Sequence, residues 1–168
     1  IINCVETILK RKLGYNPEGL DFEHWIIARI NPPKSKGFNP VHKDIYGPYD
    51  REGQFGPVRL KNLIPSMVNI WIPICGVNKQ TGLPLVPGSH LLNENKIIRT
   101  KVGVTVEGQE YSVNCIKSWD GDSSMKLISP NPGHGIIFSS HLIHGLGVNN
   151  NEDETRVSLE VRLHLRKD

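Results

Sequence analysis

The stretch Phe138-Ser139-Ser140-His141-Leu142-Ile143-His144-Gly145, followed by Arg156-Val157-Ser158, decides how this chain is read. Gly135 to Ser139, Leu142 to Val148 and Thr155 to Leu165 are short apolar, β-branched runs separated by polar or Gly-bearing residues, which predicts three strands. In the last of them Arg156 and Ser158 alternate onto one face, opposite Val157 and Leu159. Working back toward the N-terminus, Lys101 to Val106 and Glu110 to Ile116 flank Glu107-Gly108-Gln109, a hairpin signal. Leu83 to Val86, Val68 to Ile74 and Glu23 to Ile30 supply further strands. Residues 2 to 13 place Val5, Ile8, Leu9 and Leu13 at helical spacing, with Gly14 as a stop. Twelve Pro and sixteen Gly punctuate the chain, and no internal repeat interrupts it. Short strands between turns predict a sandwich or barrel behind one short N-terminal helix.

The 168 residues suffice for a single domain, taken to span 1–168. A net charge of +3, with scattered basic residues, gives no electrostatic footprint for nucleic acid or a membrane surface. No apolar run approaches the roughly 18 residues of a membrane helix. The start, Ile1-Ile2-Asn3-Cys4, has neither an initiator Met nor the pattern of a signal peptide, so the chain reads as a fragment or a processed product. Cys4, Cys75 and Cys115 are odd in number and far apart, which argues against a disulfide framework or a cysteine zinc site. A reducing, cytoplasmic setting is expected.

Three constellations carry chemistry. His42 and Asp44, two apart in Val41-His42-Lys43-Asp44, would share one face of a strand and offer an imidazole and a carboxylate to a divalent metal. About a hundred positions later comes His141 or His144, either of which could complete the set. Two histidines and one carboxylate leave three positions of octahedral iron(II) open, enough for a chelating 2-oxo acid and dioxygen. Twelve positions beyond His144 lies Arg156, whose planar fork suits the remote carboxylate of 2-oxoglutarate, with the Ser158 hydroxyl beside it. Each piece alone has a bland reading: a solvated Asp, a structural His, an exposed cross-strand Arg. Their order along the chain is the signal. The Gly- and Pro-bearing stretch from Gly47 to Pro65 follows the first pair and reads as a lid or substrate loop.

From about Arg29 to Leu163 the chain resembles the phytanoyl-CoA dioxygenase-like family of 2-oxoglutarate oxygenases. The resemblance rests on His42-x-Asp44, on Trp71 in an apolar strand and on Gly82-Leu83-Pro84-Leu85-Val86-Pro87-Gly88-Ser89-His90. It rests also on His144-Gly145-x-Gly147-x-Asn149 and on Arg156-x-Ser158. It implies a mainly β, jelly-roll, cupin-like double-stranded β-helix with a short N-terminal helix. It places the distal metal ligand at His144 rather than His141, and the cosubstrate clamp at Arg156 with Ser158. Arg29-Ile30-Asn31 resembles the strand whose Asn reaches the cosubstrate, and Trp71 holds the place of a side chain that packs against it. His141 is left with a structural or solvent role, and His90 with tying down its turn. Lys34, Lys36 and Lys43 read as a solvated rim. The chain departs from the family pattern in the shorter spacing before Pro87-Gly88-Ser89-His90 and in Leu146, where relatives often carry Ser. It is also short for the family.

The expected activity is therefore hydroxylation of an unactivated C–H of a small molecule, using Fe(II), 2-oxoglutarate and dioxygen, with succinate and carbon dioxide as co-products. Halogenating relatives carry a small residue in place of the carboxylate, so Asp44 implies hydroxylation. The competing readings are a non-catalytic jelly-roll ligand-binding module and a cupin that binds metal but no oxo acid. Arg156 argues against both. The expected partner is the small-molecule substrate, with no nucleic acid or membrane, and the expected state is a monomer.

Overall fold

The computed structural model describes residues 1–14, 26–35, 39–47, 64–101, 104–106, 108–111, 114–145 and 147–165. In chain order its elements are helix α1 (Ile2–Leu9) and strands β1 (Leu13–Gly14), β2 (Ile26–Asn31), β3 (Met67–Cys75), β4 (Leu83–Leu85), β5 (Ile97–Arg99) and β6 (Val104–Val106). There follow β7 (Gln109–Tyr111), β8 (Ile116–Trp119), β9 (Lys126–Ile128), β10 (Ile136–Ser139) and β11 (Arg156–Leu165).

The ten residues of β11 form the spine. Along one edge β2 pairs with Arg156 to Val161, and β1 takes the last two positions. Along the other edge runs β3, which in turn pairs with β10. Every pairing is antiparallel, and three two-stranded ladders, β4 with β9, β5 with β8 and β6 with β7, complete the jelly-roll. The hairpin predicted around Gly108 is the β6–β7 ladder.

The two faces of β11 do different work. Val161 and Leu163 point outward with Ile70 and are covered by Val5, Leu9 and Ile2 of α1. Arg156, Ser158, Glu160 and Arg162 point inward. A second cluster, Tyr46, Val86, Ile97, Ile116 and Ile143, packs the far side of the barrel. Trp71, Leu83, Leu85 and Leu142 lie between.

Several expectations need correction. The helix ends at Leu9, because Lys10 adopts a left-handed conformation (φ 52°) and donates its N–H to the Glu6 carbonyl. Leu13 and Gly14 then pair with β11, so Gly14 is a strand residue and not the stop, while Ile8 faces solvent. Leu142 to Val148 is not a strand. It makes isolated bridges at His144 with His42 and Leu85, and Asn149 bridges Ser35. The reason is Gly145, held at φ 131°, where a Cβ would lie 2.5 Å from the Pro40 carbonyl oxygen. Among the described residues strand β2 runs Ile26–Asn31; residues 23–25 of the expected strand lie outside the described ones, as do 48–63 of the expected lid, Lys36 and Leu146. Strands β5 and β9, and β8 beyond Ile116, lie outside the runs read from sequence.

Candidate active site

His42 and Asp44 do not sit on a regular strand. His42 makes an isolated bridge, Lys43 is extended (φ −114°, ψ 143°), and Asp44 opens a 3₁₀ turn to Tyr46. The extended Lys43 still keeps its two neighbours on one side, as alternation requires. His42 and His144 exchange both backbone hydrogen bonds, at 2.9 and 3.0 Å, so the two imidazoles are fixed by main chain. The His144 segment is pinned further where Ile143 N–H donates to Ser89 Oγ (2.8 Å) and Val86 N–H donates to the Ile143 carbonyl (2.9 Å). Ser89, buried, is the residue that ties down this turn; His90 beside it is exposed.

The donor atoms converge. His42 Nδ1 lies 2.6 Å from the Pro40 carbonyl and His144 Nδ1 2.9 Å from that of Leu142. Each carbonyl fixes the Nδ1–H tautomer and leaves Nε2 as a lone-pair donor. The two Nε2 atoms lie 3.6 and 3.8 Å from Asp44 Oδ1, and the three ligand atoms fall within 4.8 Å of one another. Asp44 Oδ2 accepts a 2.5 Å hydrogen bond from Asn69 Nδ2. Burial pushes the Asp44 carboxyl up, but the charges of His144, Arg162 and His42 and a His42 hydrogen bond outweigh it, holding it well below the usual carboxylate range. Burial, with His42 alongside, pushes the His144 imidazole below its ordinary value despite the opposing Asp44 charge. An anionic oxygen and neutral imidazoles are the forms a divalent metal needs. The set is thus a one-sided, three-donor site suited to iron(II). His141 is elsewhere: its Nε2 lies 3.2 Å from the Pro65 carbonyl.

Arg156 is 3% exposed, not a surface charge. Its Nε donates to the Thr81 carbonyl (2.7 Å) and Nη1 to Asn31 Oδ1 (2.8 Å), and its guanidinium carbon lies 5.4 Å from the centre of the Trp71 ring. Nη2 makes no hydrogen bond among the described residues. Burial lowers the Arg156 pKa, and the acidic neighbour that opposes this, Glu160, is ion-paired with Arg29 at 3.1 Å. Ser158 Oγ is buried and has no hydrogen-bond partner among the described residues. A buried cation with an edge unpaired among the described residues, near a hydroxyl also unpaired among them, has the chemistry to hold a carboxylate. Asn31 is drawn to this end as the brace of Arg156, and its own carbonyl is held by Asn149 Nδ2 (2.9 Å).

Both ends open on one cavity of about 300 Å³, lined by His42, His144, Trp71, Asn31, Arg156, Gly147, Glu160 and Arg162 among others. The sequence reading missed Asn69, Thr81, Ser89, Glu160 and Arg162. The alternation of Glu160 and Arg162 with Arg156 and Ser158 was the available signal. It also misplaced Lys43, which is fully buried and donates to Glu94 Oε1 (2.9 Å), while Tyr46 Oη donates to Oε2 (2.5 Å). Lys34 is exposed and paired with Glu152.

A jelly-roll with three converging metal donors at one end of a cavity and a buried, incompletely paired arginine at the other defines a class of non-haem metal proteins that take an anionic co-ligand. The phytanoyl-CoA dioxygenase (PhyH) family matches residues 5–158, and the chain belongs to that family. Its fold is shared with AviO1 from Streptomyces viridochromogenes Tue57 (TM-score 0.56, 15% identity, 97% of this chain and 56% of AviO1). It is shared also with the non-haem α-ketoglutarate-dependent carbocyclase SnoK of nogalamycin biosynthesis (0.53, 15%, 83% and 47%). A third is EvdO2 from Micromonospora carbonacea var. aurantiaca (0.53, 16%, 88% and 55%). The chain spans about half the length of these proteins. No curated protein sequence matches it.

Proposed function

We propose that this chain is an Fe(II)- and 2-oxoglutarate-dependent dioxygenase that hydroxylates an unactivated C–H of a small molecule. The observation that carries the reading is that the His42–Asp44–His144 donor set and Arg156 meet on one cavity, lined by His42 and His144 at one end and by Arg156 at the other, with Ser158 two positions along the same strand. Iron(II) held by the triad would couple reduction of dioxygen to decarboxylation of 2-oxoglutarate, giving succinate and carbon dioxide, and supply the oxidant for the C–H bond. The protein's own part is placement. Arg156 receives the remote carboxylate through its Nη2 edge, unpaired among the described residues, Ser158 adds a donor, and Trp71 walls the cavity beside the guanidinium. Thr81 and Asn31 keep the fork from rotating, so a carboxylate meets a preset geometry. We place the protein in the cytoplasm as a single-domain monomer, with Cys4, Cys75 and Cys115 outside any disulfide among the described residues. Among the described residues no helix is long and apolar enough to cross a membrane.

The test is incubation of purified protein with Fe(II), ascorbate and 2-oxoglutarate under labelled dioxygen, reading succinate and then screening small molecules for a product one labelled oxygen heavier. Absence of succinate would refute the oxygenase reading. Succinate with a dehydrated, cyclised or chlorinated product would keep the cosubstrate chemistry and refute hydroxylation. Cyclisation is the reaction named for SnoK.

A further inference from the structure

Asp44 is gripped by two residues that no motif points to. Asn69 on β3 and Arg162 on β11 are cross-strand partners, both on the cavity side of the central sheet. Asn69, 5% exposed, donates from Nδ2 to Asp44 Oδ2 at 2.5 Å, and its own Oδ1 has no partner among the described residues. A carboxylate can only accept, so the amide orientation is fixed by its neighbour. Arg162 Nη2 lies 3.6 Å from Asp44 Oδ1, the oxygen facing both imidazoles. That is too long for a hydrogen bond, so the contact is electrostatic.

We propose that Asn69 and Arg162 act on Asp44 in opposite senses. Asn69 is the positioning residue that confines the carboxylate to one-oxygen ligation, and Arg162 is a resident cation with which a metal competes for Oδ1. The proposal rests on the metal-site reading above. The physical case for Asn69 is occupancy. Its N–H holds Oδ2, and chelation through both carboxylate oxygens would break that bond in a buried site where no other acceptor for the amide is found among the described residues. Denying Oδ2 to the metal keeps one more coordination position open for other ligands. The case for Arg162 is charge: a guanidinium at Oδ1 favours the anion while the site is empty of cation and repels a dication that arrives. A side chain that merely held the fold together would act in the same direction in both cases.

The experiment titrates metal-free protein with Co(II) alone, reading affinity and the visible spectrum, whose intensity and shape follow ligand number. Asn69→Leu should weaken binding roughly 10–100-fold, the range for residues that orient metal ligands, and should change the spectrum. Asn69→Thr, which keeps a shorter donor, should recover part of the loss and carries the test if the leucine variant does not fold. Arg162→Met should bind Co(II) roughly threefold tighter or more, and Arg162→Lys should stay near the parent, since it retains the charge. Parent-like affinity and spectrum in a folded Asn69 variant would overturn the first half, and unchanged or weaker binding in Arg162→Met the second. His144→Ala is the control. If it still binds Co(II) like the parent, the metal-site reading has failed. If it loses binding while the Asn69 and Arg162 variants behave like the parent, only the clamp has failed.

Discussion

The two ends of the cavity are built by different means. At the metal end the side chains are short and the main chain does the positioning: His42 and His144 face each other across two backbone hydrogen bonds, and carbonyls of Pro40 and Leu142 set their tautomers. At the arginine end a long side chain reaches in from β11 and is steadied at its tip by Thr81 and Asn31. A metal demands donor positions good to a few tenths of an ångström, which backbone pairing can supply. A carboxylate tolerates more freedom but needs a desolvated cation, which only a long, braced side chain can carry into the interior. The metal end should therefore fail completely on losing a donor, and the arginine end by degrees.

The largest effect is expected from His144→Ala, which removes one of three donors and should weaken divalent-metal binding by more than about 100-fold. His141→Ala, whose imidazole faces Pro65, should change it little. Isothermal titration of the two variants checks the contrast, and reversed outcomes would move the distal ligand to His141.

Next is Arg156→Leu. A charge-assisted bond is typically worth about 1.5–3 kcal/mol, so the apparent cosubstrate requirement should rise roughly tenfold or more with metal affinity intact. If 2-oxoglutarate affinity is unchanged, the two ends do not have the division of labour drawn above.

Ser158→Ala sharpens the comparison further. The hydroxyl is buried without a partner among the described residues, so its removal should leave the melting temperature unchanged or raise it. Cosubstrate affinity should still fall by about 0.5–1.5 kcal/mol, several-fold. Loss of stability without loss of affinity would make Ser158 a structural hydroxyl.

The smallest effect concerns acid. Because His144 titrates below its ordinary value in the folded protein, the unfolded chain takes up that proton first as pH falls. The contribution of His144 to stability is complete above the ordinary histidine pKa, about 6.5, and is lost as pH drops from there through the lowered folded value. Denaturation of metal-free protein as a function of pH should show a shallower decline for His144→Gln than for the parent. Identical slopes would mean that His144 is not held neutral by burial.

Legibility followed the range of the forces. Strands β3, β10 and β11 could be read because each is a sustained apolar or alternating run with turns at its ends. Helix α1 was overextended because Leu13 fits helical spacing equally well, and only its pairing with Leu165 decides otherwise. Lys43 misled because lysine is rarely buried, and nothing local announces Glu94, fifty-one positions away. The metal triad was legible as a set of donor types. Asn69 was not, since one amide in an apolar strand has no spacing to betray it.

The sequence by itself determined which groups are available: two imidazoles, one carboxylate, and a guanidinium alternating with a serine hydroxyl on one strand face. Period and residue chemistry are local properties, and they pointed to the β architecture and to His42, Asp44 and Arg156 with either His141 or His144, while the preference for His144 came from the family resemblance. Only the tertiary structure decided what surrounds them. It showed which oxygen of Asp44 faces the histidines, that Arg156 is buried against Thr81, Asn31 and Trp71, and that Ser158 is left unsatisfied. The bonds that hold Arg156 join residues 75 and 125 positions apart, and such contacts arise from the packing of β3, β11 and their neighbours rather than from any run of adjacent residues.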